Sequence, residues 1–266
     1  MILPRLMWTS GPLLSLVLSG AALASSQTLV ASISNGAPLR VLPLGDSITY
    51  GYNEPSGNSY RRDVECLLYA GGNPVSLIGS IKNGNWDNND SDAFIYHTID
   101  EIQEAGTPEL TRQTSKPNVI LLHAGTVNFV LSKNVTNAPE RLGHLIDFIA
   151  EHNPDTLLVV SQLIPNLNAT VNALIDRYND EMPAVVAARA RAGKRVILTS
   201  MRGMTTDLLL DGTHPSERGS RVMARRFYEA VVEAGRRGMV VAAEGPFTDL
   251  GASSLSPSGK CSDLKD

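Results

Sequence analysis

The chain has 266 residues and a formal net charge of −4, with 42% hydrophobic and 19% charged residues. A mildly acidic chain with no Lys/Arg run is a poor partner for a polyanion, which excludes nucleic acid as the main ligand class. The apolar fraction is enough to fill a core, and the length suits one medium-sized domain.

Taken in chain order, the N-terminus comes first. Arg5 is followed by an apolar run from Leu13 to Leu23, and Ala22-Leu23-Ala24 has small residues at the spacing that signal peptidase cuts. This is the layout of a secretory signal peptide over 1–24, and it predicts a secreted protein cleaved after Ala24. The apolar run falls short of the roughly 20 residues needed to cross a bilayer, so no membrane association is expected of the mature form. Two cysteines, Cys66 and Cys261, leave two readings open: one disulfide in an oxidising compartment, or two unpaired thiols. Asn89, Asn134 and Asn168 each open an Asn-x-Ser/Thr sequon. So short a motif is only compatible with secretion.

From residue 38 to about 240 apolar runs alternate with helical patterns. Strands are expected at Arg40–Leu44, Val75–Gly79, Val119–His123, Thr156–Ser161 and Arg195–Thr199. Helices are expected at Ser59–Ala70, Pro139–Glu151, Val171–Ala192 (with Pro183 as a kink or break) and Ser216–Arg236. The Asn/Asp/Gly-rich stretch from Lys82 to Ala93 reads as a surface loop, and 241–266 as an irregular tail. Strands apolar on both faces belong to a parallel sheet buried between helices. The alternation predicts a three-layer α/β/α sandwich, flavodoxin-like, with about five parallel strands. In such sheets ligands bind at the carboxyl ends of the strands, near the topological switch point.

Two segments at strand ends carry chemistry. Gly45-Asp46-Ser47 follows the first strand, and a serine there projects into the cleft. Asp211-Gly212-Thr213-His214-Pro215 follows the fifth. A serine hydroxyl is a weak nucleophile until a base takes its proton, and a carboxylate then orients that base. Each segment alone is weak evidence, since Asp and Ser also favour turns and caps. Together, one after the first strand and one after the last, they form a nucleophile, a base and an acid.

At this point the sequence resembles the SGNH/GDSL hydrolases. The wider stretch Arg40–Thr49, with Ser59-Tyr60-Arg61-Arg62 after it, is similar to the branch of secreted carbohydrate esterases and acetylxylan esterases. The resemblance implies Ser47 as nucleophile, His214 as general base and Asp211 as its partner. It also implies an oxyanion hole formed by the backbone N–H groups of Ser47 and Gly79 and by one Asn side chain. The family's third block reads Gly-x-Asn-Asp. Here it reads Gly125-Thr126-Val127-Asn128, so Val127 stands where the Asn is expected and Asn128 is the candidate donor one residue later. Losing one such donor costs about 10²–10³ in rate.

No Gly-x-Ser-x-Gly elbow, dinucleotide fingerprint or phosphate loop is present. His97, His123, His144 and His152 are scattered, so no metal or other cofactor is expected, and His123 reads as a core histidine. Trp86 is open to two readings, sugar stacking or loop packing. The expected function is a secreted, monomeric serine esterase that removes short acyl groups such as acetyl from plant-wall carbohydrate. The alternatives are a non-catalytic or weakly active carbohydrate-binding protein on the same scaffold, motivated by Val127, and a lipase or thioesterase of the same family.

Overall fold

A computed structural model describes residues 32–249. The expected signal peptide, Cys261 and most of the tail lie outside the described residues. Cys66 is buried and is not a free thiol, but its expected pairing with Cys261 lies outside them too.

Five strands form the parallel core: β1 (Leu39–Gly45), β2 (Val75–Leu77), β5 (Val119–His123), β6 (Leu157–Ser161) and β7 (Val196–Thr199). Their spatial order is β2-β1-β5-β6-β7. The order reverses between β1 and β5, so the switch point lies where β1 ends. Every residue of β1, β5 and β6 is buried, because alternate side chains enter two different cores. On one face Leu39, Val41, Val119, Leu121, Leu157 and Val159 pack with Tyr60, Val64 and Leu68 of α2 (Ser59–Ala70) and Met223, Phe227 and Val231 of α7 (Glu217–Arg236). On the other face Leu42, Leu44, Ile120, Leu122, Leu158 and Val160 meet α3 (Ile99–Leu110), α5 (Ala138–His152) and α6 (Ala169–Arg191). The three-layer α/β/α sandwich follows from strands with two apolar faces.

Four features depart from expectation. The stretch read as a loop contains β3 (Ile81–Lys82) and β4 (Asp90–Ala93), an antiparallel pair. β4 also pairs in parallel with the end of β1, Leu44 with Asp92 and Gly45 with Ala93. Its Asp-Ser-Asp-Ala sequence has no apolar run, so pattern reading passes over it. One oxygen of its buried Asp92 is paired locally instead: Ser80 N–H and Oγ–H both donate to Asp92 Oδ1, at 2.8 and 2.9 Å.

α3 was not expected at all. Gly106 and Pro108 blur its period, while a Thr98/Glu101 capping box starts it. Two short helices, α1 (Ser47–Tyr50) and α4 (Thr126–Val130), follow β1 and β5 directly. Finally, Pro183 does not end α6. A proline leaves the carbonyl four residues earlier without its helical donor. Here Gln162 Nε2 donates to that carbonyl, Asn179 O, at 2.8 Å.

Candidate active site

The site is built where β1 ends. Gly45 is the last residue of the strand, and a side chain there would lie 2.3 Å from Thr49 Oγ1 and 2.4 Å from His123 O, so only glycine fits. Asp46 caps α1, its Oδ1 accepting from Ile48 N–H at 3.0 Å. That cap sets Ser47 at the first position of the helix. His123 is fully buried behind it, with Nδ1 3.8 Å from Asp46 Oδ1.

The loop 209–215 brings the other two groups. Leu210 N–H donates to His214 O at 2.8 Å and closes the loop. Asp211 Oδ1 accepts from the N–H groups of Thr213 and His214, at 3.0 and 2.8 Å. Its Oδ2 faces His214 Nδ1 at 2.7 Å, and His214 Nε2 lies 2.9 Å from Ser47 Oγ. With the Nδ1 proton directed at the carboxylate, Nε2 is left to accept from the serine hydroxyl. Burial pushes the Asp211 carboxyl up, but hydrogen bonds from His214, Asn53 and Thr213 outweigh it and hold the group well below the usual carboxylate range. Asp211 is therefore a fixed anion, as an orienting partner requires.

Gly79 lies just past β2, at the same carboxyl edge. Its φ is +149°, and a Cβ would fall 2.1 Å from Ser91 C on β4. The close approach of β4 thus requires glycine here. The N–H groups of Ser47 and Gly79 make no hydrogen bond among the described residues, which leaves both available as donors.

Asn128 is not offered to the cleft. It is fully buried, its Oδ1 accepts from Ile99 N–H at 3.1 Å, and its Nδ2 donates to Lys133 O at 3.0 Å. The amide holds the start of α3 and the loop after α4, which corrects its expected role as an oxyanion donor. Val127, at the position where the donor was expected, has only an aliphatic side chain. Trp86 packs in the loop rather than on the surface. Its Nε1 donates to Glu65 Oε2 at 2.7 Å, and the Arg61 guanidinium lies 5.1 Å above its ring.

Two residues of the turn after α1 escaped the sequence reading. Asn53 Nδ2 donates to Asp211 Oδ2 at 2.6 Å. The Tyr52 ring packs against the His214 imidazole, with centroids 5.0 Å apart. In the sequence Tyr52-Asn53 is only a turn signal, because Asn tolerates the positive φ of 63° found here.

Residues 44–222 match the model of the GDSL-like Lipase/Acylhydrolase family. The chain is 27% identical to a multidomain esterase of Ruminococcus flavefaciens, over 87% of this chain and 33% of that protein. It is 32% identical to a putative endoglucanase X of Acetivibrio thermocellus, over 45% of this chain and 52% of that protein. The chain therefore spans only a part of the length of each of these relatives. Among solved structures it superposes on the Clostridium thermocellum family 3 carbohydrate esterase with a TM-score of 0.66. That match has 25% identity and covers 76% of this chain and 99% of that one.

Proposed function

We propose that this chain, which belongs to the GDSL-like lipase/acylhydrolase family, is a serine esterase acting through an acyl-enzyme on Ser47. The observation that carries the reading is the relay from Asp211 through His214 to Ser47, with contacts of 2.7 and 2.9 Å. Ser47 Oγ attacks the ester carbonyl while His214 Nε2 takes its proton. The tetrahedral oxyanion is held by the N–H groups of Ser47 and Gly79. Collapse breaks the bond to the alcohol, and His214 returns the proton to the departing oxygen. Water, deprotonated by the same nitrogen, then attacks the acyl carbon; the bond to Ser47 Oγ breaks, His214 returns the proton to that oxygen, and the acid is released. A hole of two backbone donors, without the side-chain amide expected at Val127, makes a slower enzyme, since one donor is worth about 10²–10³ in rate.

The substrate class we infer is a short acyl ester, such as acetate, on plant-wall carbohydrate. It is supported by the likeness to a carbohydrate esterase and by the resemblance of Arg40–Thr49 and Ser59–Arg62 to that branch. Secretion is inferred from the first 24 residues alone, and 38–240 is proposed as the esterase domain.

Hydrolysis of p-nitrophenyl acetate tests the reaction. Wild type should turn it over, and Ser47→Ala should lose at least about 10³-fold in kcat. Equal rates in the two proteins would overturn the esterase reading and favour the carbohydrate-binding one, for which Val127 is the motive.

A further inference from the structure

In the reaction proposed above, His214 protonates the departing alcohol. The alcohol half of the ester must therefore leave past the imidazole, whereas the acyl oxygen faces Ser47 and Gly79. Side chains that flank the imidazole meet the alcohol. The ring packed against His214 is Tyr52, tilted by 51° at 5.0 Å. Beyond it lies Tyr96, tilted by 60° with its centroid 6.4 Å from that of Tyr52. Tyr96 comes from the loop after β4, whose carboxyl end lies beside that of β1. The three rings thus lead outward from the base.

Tyr96 stands largely in solvent, with its ring turned to Tyr52. It is 62% exposed, among the most exposed large hydrophobic side chains of the described residues. Its φ is +67°, a left-handed conformation that is an outlier for a bulky residue. An aromatic ring held in solvent on an unfavourable backbone, beside a second ring that touches the catalytic base, is a binding surface rather than part of a core.

We propose that Tyr52 and Tyr96 form the leaving-group subsite, a platform for the pyranose ring of a sugar alcohol. The C–H face of a pyranose packs on an aromatic ring while its hydroxyls stay hydrated or reach the phenols, a division that suits amphipathic tyrosine. A small alkyl alcohol reaches His214 but is too short to cover Tyr96. The inference rests on the esterase reading for its direction and on the ring geometry for its place.

The test compares acetylated xylotriose with ethyl acetate in wild type, Tyr96→Ala and Tyr96→Phe. Tyr96→Ala should lower the ratio of kcat/KM for the sugar ester over ethyl acetate by about tenfold, through KM, and Tyr96→Phe should restore it. An unchanged ratio in Tyr96→Ala, or a Phe variant as poor as the Ala one, overturns the subsite. Binding of unacetylated xylotriose to Ser47→Ala protein, measured by calorimetry, separates the two ideas. If wild type hydrolyses neither ester, the esterase reading fails. The platform then stands if adding Tyr96→Ala to Ser47→Ala weakens sugar binding, and falls if it does not.

Discussion

At the scale of single residues, the Asp211 carboxylate shows how the site is tuned. It accepts four hydrogen bonds, three from its own loop and one from Asn53. Asn53 reaches across from the turn after α1, so it ties the 209–215 loop to the helix that carries Ser47. It acts through Asp211 and is a positioning residue. Asn53→Gly keeps the positive φ and removes only the amide. It should lower kcat by about tenfold, the worth of one charge-assisted hydrogen bond, with KM little changed. Steady-state kinetics on p-nitrophenyl acetate reads both terms, and a change confined to KM would place Asn53 in substrate binding instead.

Asp92, beside the Gly79–Ser80 turn, behaves oppositely. Burial pushes its carboxyl up to about 6, and the Ser80 hydrogen bonds offset only part of that. A folded-state value above the unfolded 3.8 means that the native protein holds the proton more tightly. The associated stability is present below pH 4 and is lost as pH rises through 6. Asp92→Asn cannot ionise, so its melting temperature should gain on that of wild type between pH 4.5 and pH 8. Thermal denaturation at the two pH values checks this, and a parallel response of both proteins would refute it.

At the scale of elements, the turns around Ser47 are organised by Arg61. Its guanidinium is buried and donates to the carbonyls of Tyr50, Gly57, Asn83 and Asn89. It gathers the turn after α1, the entry to α2 and the β3–β4 connection around one cation. Burial lowers its pKa to about 10, so it remains charged at neutral pH. Arg61→Ala strands those carbonyls and should cost about 3–5 kcal/mol in urea unfolding. A loss below 1 kcal/mol would show that water satisfies them.

The elements also show where pattern reading works. The five core strands and the helices α2, α5, α6 and α7 were legible because their apolar residues repeat with the period of each element, whereas Gly106 and Pro108 hid α3. β4 was not, since its stability comes from pairing with β1 and from Ser80 on Asp92 rather than from apolar burial. The continuity of α6 through Pro183 was equally hidden, because the compensating donor, Gln162, comes from after β6.

At the scale of the whole molecule, the parallel sheet places Ser47 at the switch point but leaves His214 a problem of reach. β7 is separated from β1 by β5 and β6. The loop after β7 must therefore travel back over the carboxyl ends of the intervening strands. Contacts with the loop after β6 mark its path: Leu167 N–H donates to Gly212 O at 2.8 Å, and Asn166 Nδ2 to Thr213 Oγ1 at 2.9 Å. At the opposite end of the sheet Arg40 fastens the segment after α7, donating to Glu244 O and Pro246 O. Residues 241–249 have no helix or strand and are held by such contacts.

The sequence by itself determined the layered fold, through strands apolar on both faces. It also picked out Ser47, Asp211 and His214, through residue types and their place after the first and last strands. Those are local properties of period and spacing, which one dimension carries in full. Only the tertiary structure decided what meets what across loops distant in sequence. It turned Asn128 inward to hold α3 and set Asn53 on the Asp211 carboxylate. It also buried Trp86 under Arg61 and left Tyr52 and Tyr96 as the rings beside His214. Hydrogen bonds and ring contacts of this kind depend on the path of the chain through space, and no residue type or spacing encodes them locally.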